Sequence, residues 1–500
     1  MDILTAIQTL ADPTLILFMI LGVLTGTIVG AIPGLTGPMA LGIAIPLTFT
    51  MEPMQAILLL FGIYFGAVYA GAITAIMINT PGTNAGAAAA LDGYPLTLKG
   101  QSRKALQMSA ISEFIGAFIS VLALVLFAPL LSKVAMNFGP SEYFALGIFG
   151  LSVVASVAGK SLSKALFVAA IGVFISLIGR DPVTGVARFT FGSPYLEDGV
   201  PLVAALIGLF AISEVLKKFL SGHHSQQQNQ KIEVTGEALT FKEFRRSFKT
   251  MIKGGFIGVF IGILPGSGAV IASFLSYNEA IRSSKTPENY GKGELDGVAA
   301  VESGAGGTEA SSVIPLLTFG IPGDVSTAII LGAMILHGIQ VGPQLFEHSG
   351  GMVSSLFLGI LILEIIVLIV GWYGSIYIAK IAKVPTQFLF PIIIVLIVTG
   401  TFALQNSIFT VWVTLLFGLI GFAMHRFGYP VPPLLLGLIL GPIIERNFLR
   451  SVATTGGDLS FLYTRPITLG ILIAAVFFIY LTINMHRKSQ KRMKPAGTDS

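Results

Sequence analysis

The stretch Gly22-Val23-Leu24-Thr25-Gly26-Thr27-Ile28-Val29-Gly30-Ala31-Ile32-Pro33-Gly34 decides how the rest of the chain is read. Three glycines at four-residue spacing run into a Pro-Gly pair, all within apolar sequence. The pattern returns as Gly254, Gly258, Gly262, Pro265 and Gly266, a constant offset of 232 residues. A Gly-x-x-x-Gly string lets two helices approach closely in lipid. The proline that follows removes a backbone donor and crowds the preceding turn, and the glycine accepts dihedrals that other residues avoid. What is duplicated is therefore a broken helix.

A second break is also duplicated. Asn79-Thr80-Pro81-Gly82-Thr83 matches Gly320-Ile321-Pro322-Gly323-Asp324 at an offset of 241. Fainter echoes link Pro140-Ser141-Glu142-Tyr143-Phe144 with Pro385-Thr386-Gln387-Phe388-Leu389, and Pro201-Leu202-Val203 with Pro433-Leu434-Leu435. Each half opens on two Pro-Gly breaks and continues in ordinary apolar spans.

The chain has 500 residues, of which 54% are hydrophobic and only 11% charged. A soluble domain carries about 25% charged residues, so this is a polytopic membrane protein. Apolar runs at Ala117–Leu131, Met352–Val370, Phe388–Gly400 and Leu469–Ile483 are separated by short polar loops. Several fall short of the ~20 residues a straight span needs, which predicts tilted, kinked or paired half-helices. With no cysteine, disulfides and thiol chemistry are excluded. The net charge of +5 sits in loops and describes topology, not nucleic-acid binding.

Lys and Arg cluster at Lys99/Arg103/Lys104, at Lys160/Lys164 and from Lys217 through Lys253. They cluster again at Lys380/Lys383, at Arg426 and from Arg487 to Lys494. The positive-inside bias makes these regions cytoplasmic. The N-terminus is then external, the C-terminus cytoplasmic, and the first apolar segment, Leu15–Ile32, a retained span. Arg180, Arg188, Arg446, Arg450 and Arg465 fall in assigned external loops and run against that bias.

The expected organisation is a first repeat over 1–221, a cytoplasmic polar linker over 222–250, a second repeat over 251–484 and a basic cytoplasmic tail over 485–500. The pair His223-His224 in the linker reads as a solvated connector, not a metal site. The charge count starts the two halves on opposite sides of the membrane. The expected fold is thus an all-α polytopic membrane protein of roughly 10–14 membrane segments. Its two inverted-topology repeats would carry discontinuous helices and re-entrant hairpins, the arrangement that marks a secondary transporter's binding site.

Non-helical backbone at membrane depth persists only where it is buried or lines a watery cavity. Half-helices starting after Pro33-Gly34, Pro81-Gly82, Pro265-Gly266 and Pro322-Gly323 aim free N–H groups and a partial positive charge at each break. An anion finds donors there. Thr36, Asn79, Thr80, Thr83, Asn84, Ser267, Gly268, Asp324 and Ser326 lie at or beside these breaks and complete the expected substrate-binding set. Carbonyls of the preceding half-helices suit a cation.

Ionisable groups inside membrane segments are costly and functional by default, so Glu302, Thr308 and Asp324 are the expected coupling-cation residues. Glu309 lies beside them, and Glu113 reads equally as a packing group paired with a hydroxyl. For Asp92, in Asp92-Gly93-Tyr94-Pro95, helix capping is the stronger reading. There is no Gly-x-x-x-x-Gly-Lys-Ser/Thr loop and no His-Glu-x-x-His, so neither nucleotide hydrolysis by that loop nor zinc proteolysis is expected. No nucleophile and base pair marks an enzyme, and no cofactor beyond a bound sodium ion is expected.

Several blocks together carry a family resemblance. They are the N-terminal glycine string with Pro33-Gly34-Leu35, the Asn79–Thr83 and Leu91–Pro95 blocks, Pro315–Gly323, and His337-Gly338-Ile339-Gln340-Val341-Gly342-Pro343. Over nearly its full length the chain resembles the large membrane subunit of the tripartite tricarboxylate transporters, the TctA family. The resemblance implies a bacterial inner-membrane importer of organic carboxylates driven by an ion gradient. It also implies two partners, a small membrane subunit of about four spans and a periplasmic solute-binding protein. One departure stands out. The family pattern places a paired Asn-Asn after the glutamate matching Glu302, where this chain reads Ser303-Gly304-Ala305-Gly306-Gly307-Thr308-Glu309. The leading expectation is a cation-coupled carboxylate permease. The alternative is an ion or anion channel built on the same broken helices.

Overall fold

A computed structural model describes residues 3–157, 161–221, 234–266, 268–381 and 389–493. It is helical almost throughout, with one short hairpin pairing Gly179–Arg180 and Ala187–Arg188. Among the described residues, seven helices are long and apolar enough to cross a membrane, and four shorter apolar helices accompany them. The chain is an all-α polytopic membrane protein.

It divides into two compact units, one of residues 1–136 and 203–422, the other of 137–202 and 423–500. The units do not coincide with the sequence halves, because each recruits segments from both. In the larger unit the elements that matter are α1 (Pro13–Ala31), α2 (Gly37–Thr48), α3 (Pro53–Ile78), α4 (Gly86–Leu98) and α5 (Ser102–Ala135). They are followed by α6 (Phe241–Ile263), α7 (Gly268–Ser283), α8 (Leu295–Glu309), α9 (Val313–Phe319), α10 (Val325–Leu336) and α11 (Gly350–Ile369).

The glycine strings are helix-packing faces. A Cβ on Gly22, Gly26 or Gly30 of α1 would stand 2.4, 2.2 or 2.5 Å from the carbonyl oxygens of Leu59, Ile63 and Ala67 on α3. No side chain fits between the two backbones. In the second half, Gly254, Gly258 and Gly262 of α6 meet Ala300, Gly304 and Thr308 of α8 in the same way. Each partner lies 241 residues after its first-half counterpart, so the packing repeats with the sequence. A Cβ on Gly66 or on Gly307 would stand 2.5 Å from the Val23 or the Gly255 carbonyl oxygen, which repeats the packing from the opposite side.

The breaks repeat in backbone detail. Ile32 and Leu264 end α1 and α6 with φ/ψ of −84/116° and −81/119°. Gly34 and Gly266 follow at φ +89° and +82°, left-handed values that favour glycine. Asn79 and Gly320 close α3 and α9 in the left-handed region, at φ 53° and 70°. Beyond each cap the chain doubles back. The Gly82 N–H reaches the Gly71 carbonyl at 3.2 Å, and Gly323 lies against Ser312. From Ile78 back to Gly71 is a depth of about 10 Å at 1.5 Å per residue. α4 then runs forward beside α3, with Gly93 against Ile76 and the Thr97 hydroxyl donating to the Ile76 carbonyl at 2.7 Å.

Three expectations need correction. Residues 241–250, expected in the polar linker, form the first turns of α6, whose start is fixed by a Thr240/Glu243 capping box. That amphipathic turn carries too much charge for the hydropathy pattern to read it as helix. Arg446 and Arg450, expected in an external loop, lie within the helix Val431–Thr454. Asp92 sits inside α4, not in a loop, yet it does cap a helix. Its Oδ1 accepts the Gly293 and Glu294 N–H groups at 2.8 Å just ahead of α8, and its Oδ2 accepts the Tyr277 hydroxyl at 2.8 Å. The His223-His224 pair lies outside the described residues.

Glu243 anchors the polar start of α6. Its partial burial favours the neutral carboxyl, but hydrogen bonds from the Lys104 ammonium and from the hydroxyl and N–H of Thr240 outweigh that and hold it at about 2.

In the smaller unit, helix Leu162–Ser176 packs on Val431–Thr454 so closely that a Cβ on Gly172 or Gly437 would stand 2.3 Å from the Leu434 or the Ala169 carbonyl oxygen. Arg188 pairs with Asp181 at 3.2 Å and with Glu445, Arg180 with Glu197 at 2.6 Å, and Arg465 with Glu142 at 3.2 Å.

Candidate functional site

All four Pro-Gly breaks lie in the larger unit, and within each half they meet. In the first half, a Cβ on Gly82 would stand 2.0 Å from the Gly30 carbonyl, so the turn after Asn79 rests on the last turn of α1 just before Pro33. In the second half, the Gly266 N–H donates to the Gly323 carbonyl at 2.6 Å. Sequence breaks 48 and 57 residues apart (Pro33 to Pro81, Pro265 to Pro322) thus become one locus per half.

The half-helix N-termini are partly satisfied by their own caps. Thr36 Oγ1 accepts the Met39 N–H at 3.3 Å, and Thr83 Oγ1 accepts the Gly86 N–H at 3.3 Å. Asp324 is the N-cap of α10. Its Oδ1 accepts the Thr327 N–H at 2.7 Å and the Thr327 hydroxyl at 2.8 Å, and its Oδ2 accepts the Tyr64 hydroxyl at 2.5 Å. The carboxylate expected to hold a substrate or cation is engaged in holding a helix. Ser326 is buried beside it, and Ser267 lies outside the described residues.

The two loci differ in access. Asn79, Thr80 and Asn84 are exposed, and Pro33, Gly34, Thr36, Pro81 and Thr83 are half-buried. Gly82 is buried, as are Pro265, Pro322 and Gly323 in the second half, where Gly266, Gly268 and Asp324 are half-buried. The open locus also holds a cation that sequence reasoning assigned only to a loop cluster. Lys218, on helix Ser213–Ser221, donates from Nζ to the Pro33 carbonyl at 3.3 Å. A Cβ on Gly34 would stand 1.0 Å from that Nζ, so glycine at this position makes the lysine's berth. Pro33 and Lys218 stand 185 positions apart, and nothing local signals the contact.

The remaining carboxylates gather elsewhere. Glu302 is buried and accepts the Ser109 hydroxyl at 3.1 Å. Thr308 donates to the Ala305 carbonyl within its own helix at 2.7 Å. Glu113, expected to pair with a hydroxyl, receives none on either oxygen and meets the carboxyl of Glu309 instead, with Glu302 and Glu364 nearby. The hydroxyl-paired acid of this layer is Glu302. Glu364, on α11, was missed because it reads as a single charge in a long apolar run. No group of three acidic or imidazole side chains among the described residues is placed to hold a metal ion.

Comparison with known proteins gives a consistent result. The family model described as "Tripartite tricarboxylate transporter TctA family" matches residues 16–436. An uncharacterised 52.8 kDa protein in the TAR-I ttuC′ 3′ region of Agrobacterium vitis is 36% identical over 481 residues, 95% of this chain and 94% of that protein. An uncharacterised protein in the TAR-II ttuC′ 3′ region of the same organism is 35% identical over 231 residues, 45% of this chain and 93% of that protein. No solved structure matches the chain.

Proposed function

The chain belongs to the tripartite tricarboxylate transporter TctA family, and on that premise we propose that it imports organic di- or tricarboxylates across the bacterial inner membrane, driven by a sodium or proton gradient. As a multi-pass component of a tripartite transporter it works with a binding protein and a small subunit. We assign the binding protein to the periplasm, where it delivers substrate, and give the small subunit about four spans. The two halves, 1–221 and 251–484, are read as inverted relative to one another, with the N-terminus outside and the C-terminus inside. Carboxylate pairing of Arg180, Arg188 and Arg465 supports that topology, since these external arginines carry little free positive charge.

One observation carries the substrate reading: the open first-half locus, where two Pro-Gly breaks meet beneath Lys218. A carboxylate entering there exchanges the weak Lys218–Pro33 contact for a charge-assisted bond. Asn79, Thr80, Thr83, Asn84 and Thr36 supply polar neighbours around the breaks at Pro33-Gly34 and Pro81-Gly82. We assign the second-half breaks at Pro265-Gly266 and Pro322-Gly323 to the opposing wall of the same site.

Reconstitution of the purified protein with its partners tests the reading. Accumulation of a dicarboxylate or tricarboxylate is expected under an imposed sodium or proton gradient, saturable and dependent on the binding protein. Asn79→Ala is expected to abolish uptake in folded protein. Downhill flux that ignores both the gradient and the binding protein would establish the channel alternative instead.

A further inference from the structure

One face of α6 changes chemistry along its length. Lys242, Arg245, Lys249, Phe256 and Phe260 follow one another at spacings of three, four, seven and four residues, which places them on one side of the helix. All five are exposed, while the opposite side, with Gly254, Gly258 and Gly262, packs on α8. The outer face is therefore cationic over the first turns and aromatic beyond. Beside the cations stand Phe241, Phe244 and Phe248, in contact along the helix with ring centroids 6.0 and 5.7 Å apart. Phe241 and Phe248 are exposed as well.

The positive charge on this face is uncompensated. The acids nearby are each taken by another cation: Glu243 by Lys104 at 2.8 Å, Glu294 by Arg246 at 2.9 Å, and Glu279 by Arg282 at 2.8 Å with Lys253 at 3.9 Å. Among the described residues no ion pair engages Lys242, Arg245 or Lys249. Water alone gives no reason for exposed phenylalanines between lysines, and hydrocarbon none for three unpaired cations. The headgroup layer of a membrane with anionic lipids satisfies both.

We propose that the start of α6 lies in the headgroup layer and that Lys242, Arg245 and Lys249 bind the phosphates of anionic phospholipids, with Phe241 and Phe248 seated at the ends of the acyl chains. The apolar stems of the basic side chains lie along the phenylalanines while their charged heads reach the phosphates. The length of the helix agrees. From Lys249 to Ile263, where α6 ends, is about 21 Å at 1.5 Å per residue. Measured from phosphate level, that brings the Pro265-Gly266 break near the middle of a hydrocarbon core ~30 Å thick. The lipid contact thus sets the depth of a break, whatever the transported substrate.

The test follows thermal unfolding of the purified full-length protein in neutral detergent while phosphatidylglycerol, or phosphatidylcholine with the same chains, is added. Phosphatidylglycerol should stabilise the wild type at concentrations where phosphatidylcholine does not. Combining Lys242→Gln, Arg245→Gln and Lys249→Gln should weaken the apparent affinity for phosphatidylglycerol on the order of 100-fold, roughly fivefold per charge. The charge-keeping set Lys242→Arg, Arg245→Lys and Lys249→Arg should bind as the wild type does. If the glutamine set is not recovered folded, Lys249→Gln decides alone, with an expected loss of about fivefold. Equal stabilisation by the two lipids, or an undiminished preference in the glutamine variants, overturns the proposal. Displacement of bound phosphatidylglycerol by the small membrane subunit would overturn it too, making this face a protein interface.

Discussion

The two break loci share a backbone and differ in everything laid upon it. Gly34 and Gly266 adopt the same left-handed turn, Asn79 and Gly320 the same cap, and both following loops double back by eleven residues, Gly82 onto Gly71 and Gly323 onto Ser312. In the second half that backbone is tied up by its own partners. Gly266 bonds Gly323, and Asp324 is engaged by Thr327 and Tyr64. In the first half it is open, with Asn79, Thr80 and Asn84 exposed and Lys218 over Pro33. Duplication supplied a scaffold twice. One copy ties its carboxylate to a helix end and a tyrosine, and the other carries exposed amide and hydroxyl side chains and a lysine.

Substitutions can break or sharpen that contrast. The largest effect should come from what the halves share. Gly26→Ala and Gly258→Ala each place a Cβ within 2.4 Å of a carbonyl oxygen across a helix pair. Each should cost about 3 kcal/mol through overpacking and lower the folded yield alike. Tolerance of one but not the other would end the case for equivalent packing.

Next comes Lys218→Gln, which removes a charge from the open locus only. A hydrogen bond to a charged group contributes about 1.5–3 kcal/mol, so substrate uptake should fall roughly 10- to 100-fold with the melting temperature unchanged. Normal uptake would reduce Lys218 to a cap on Pro33.

Asp324 probes the second-half locus. Asp324→Ala should lower stability by about 1–2 kcal/mol through the lost N-cap, whereas Asp324→Asn, which caps equally well, should restore both melting temperature and transport. A transport defect in Asp324→Asn without a stability defect would return this residue to the binding site.

The smallest effect lies outside the contrast and serves as its control. The Glu243 carboxyl titrates at about 2 in the folded chain and near ~4.3 unfolded. Its contribution to stability is therefore complete above the unfolded value and lost as pH falls towards about 2. Lys104→Ala should flatten that acid limb in a pH series of melting temperatures without altering uptake at neutral pH.

Much of this was legible in the sequence because helix–helix contact in lipid leaves a compositional trace. Only glycine fits where backbones touch, and only Pro-Gly ends a helix within an apolar run, so both loci and their duplication stand out at fixed offsets. Composition likewise required a membrane protein. The start of α6 was hidden because its helical turn is charged, and Glu364 because one acid in a long apolar segment shows no partner.

What the tertiary structure decided was which polar groups remain available. By sequence Asp324 and Glu302 look like ligands, but whether a carboxylate is spent on a helix N-terminus or on a neighbouring hydroxyl depends on contacts such as Tyr64–Asp324 and Ser109–Glu302, 260 and 193 residues apart. The same holds for Lys218 over Pro33 and for the meeting of Glu113, Glu309 and Glu364. Local pattern determines where the backbone breaks; desolvation and pairing, which are properties of the packed chain, determine which side chains beside the breaks are left to bind.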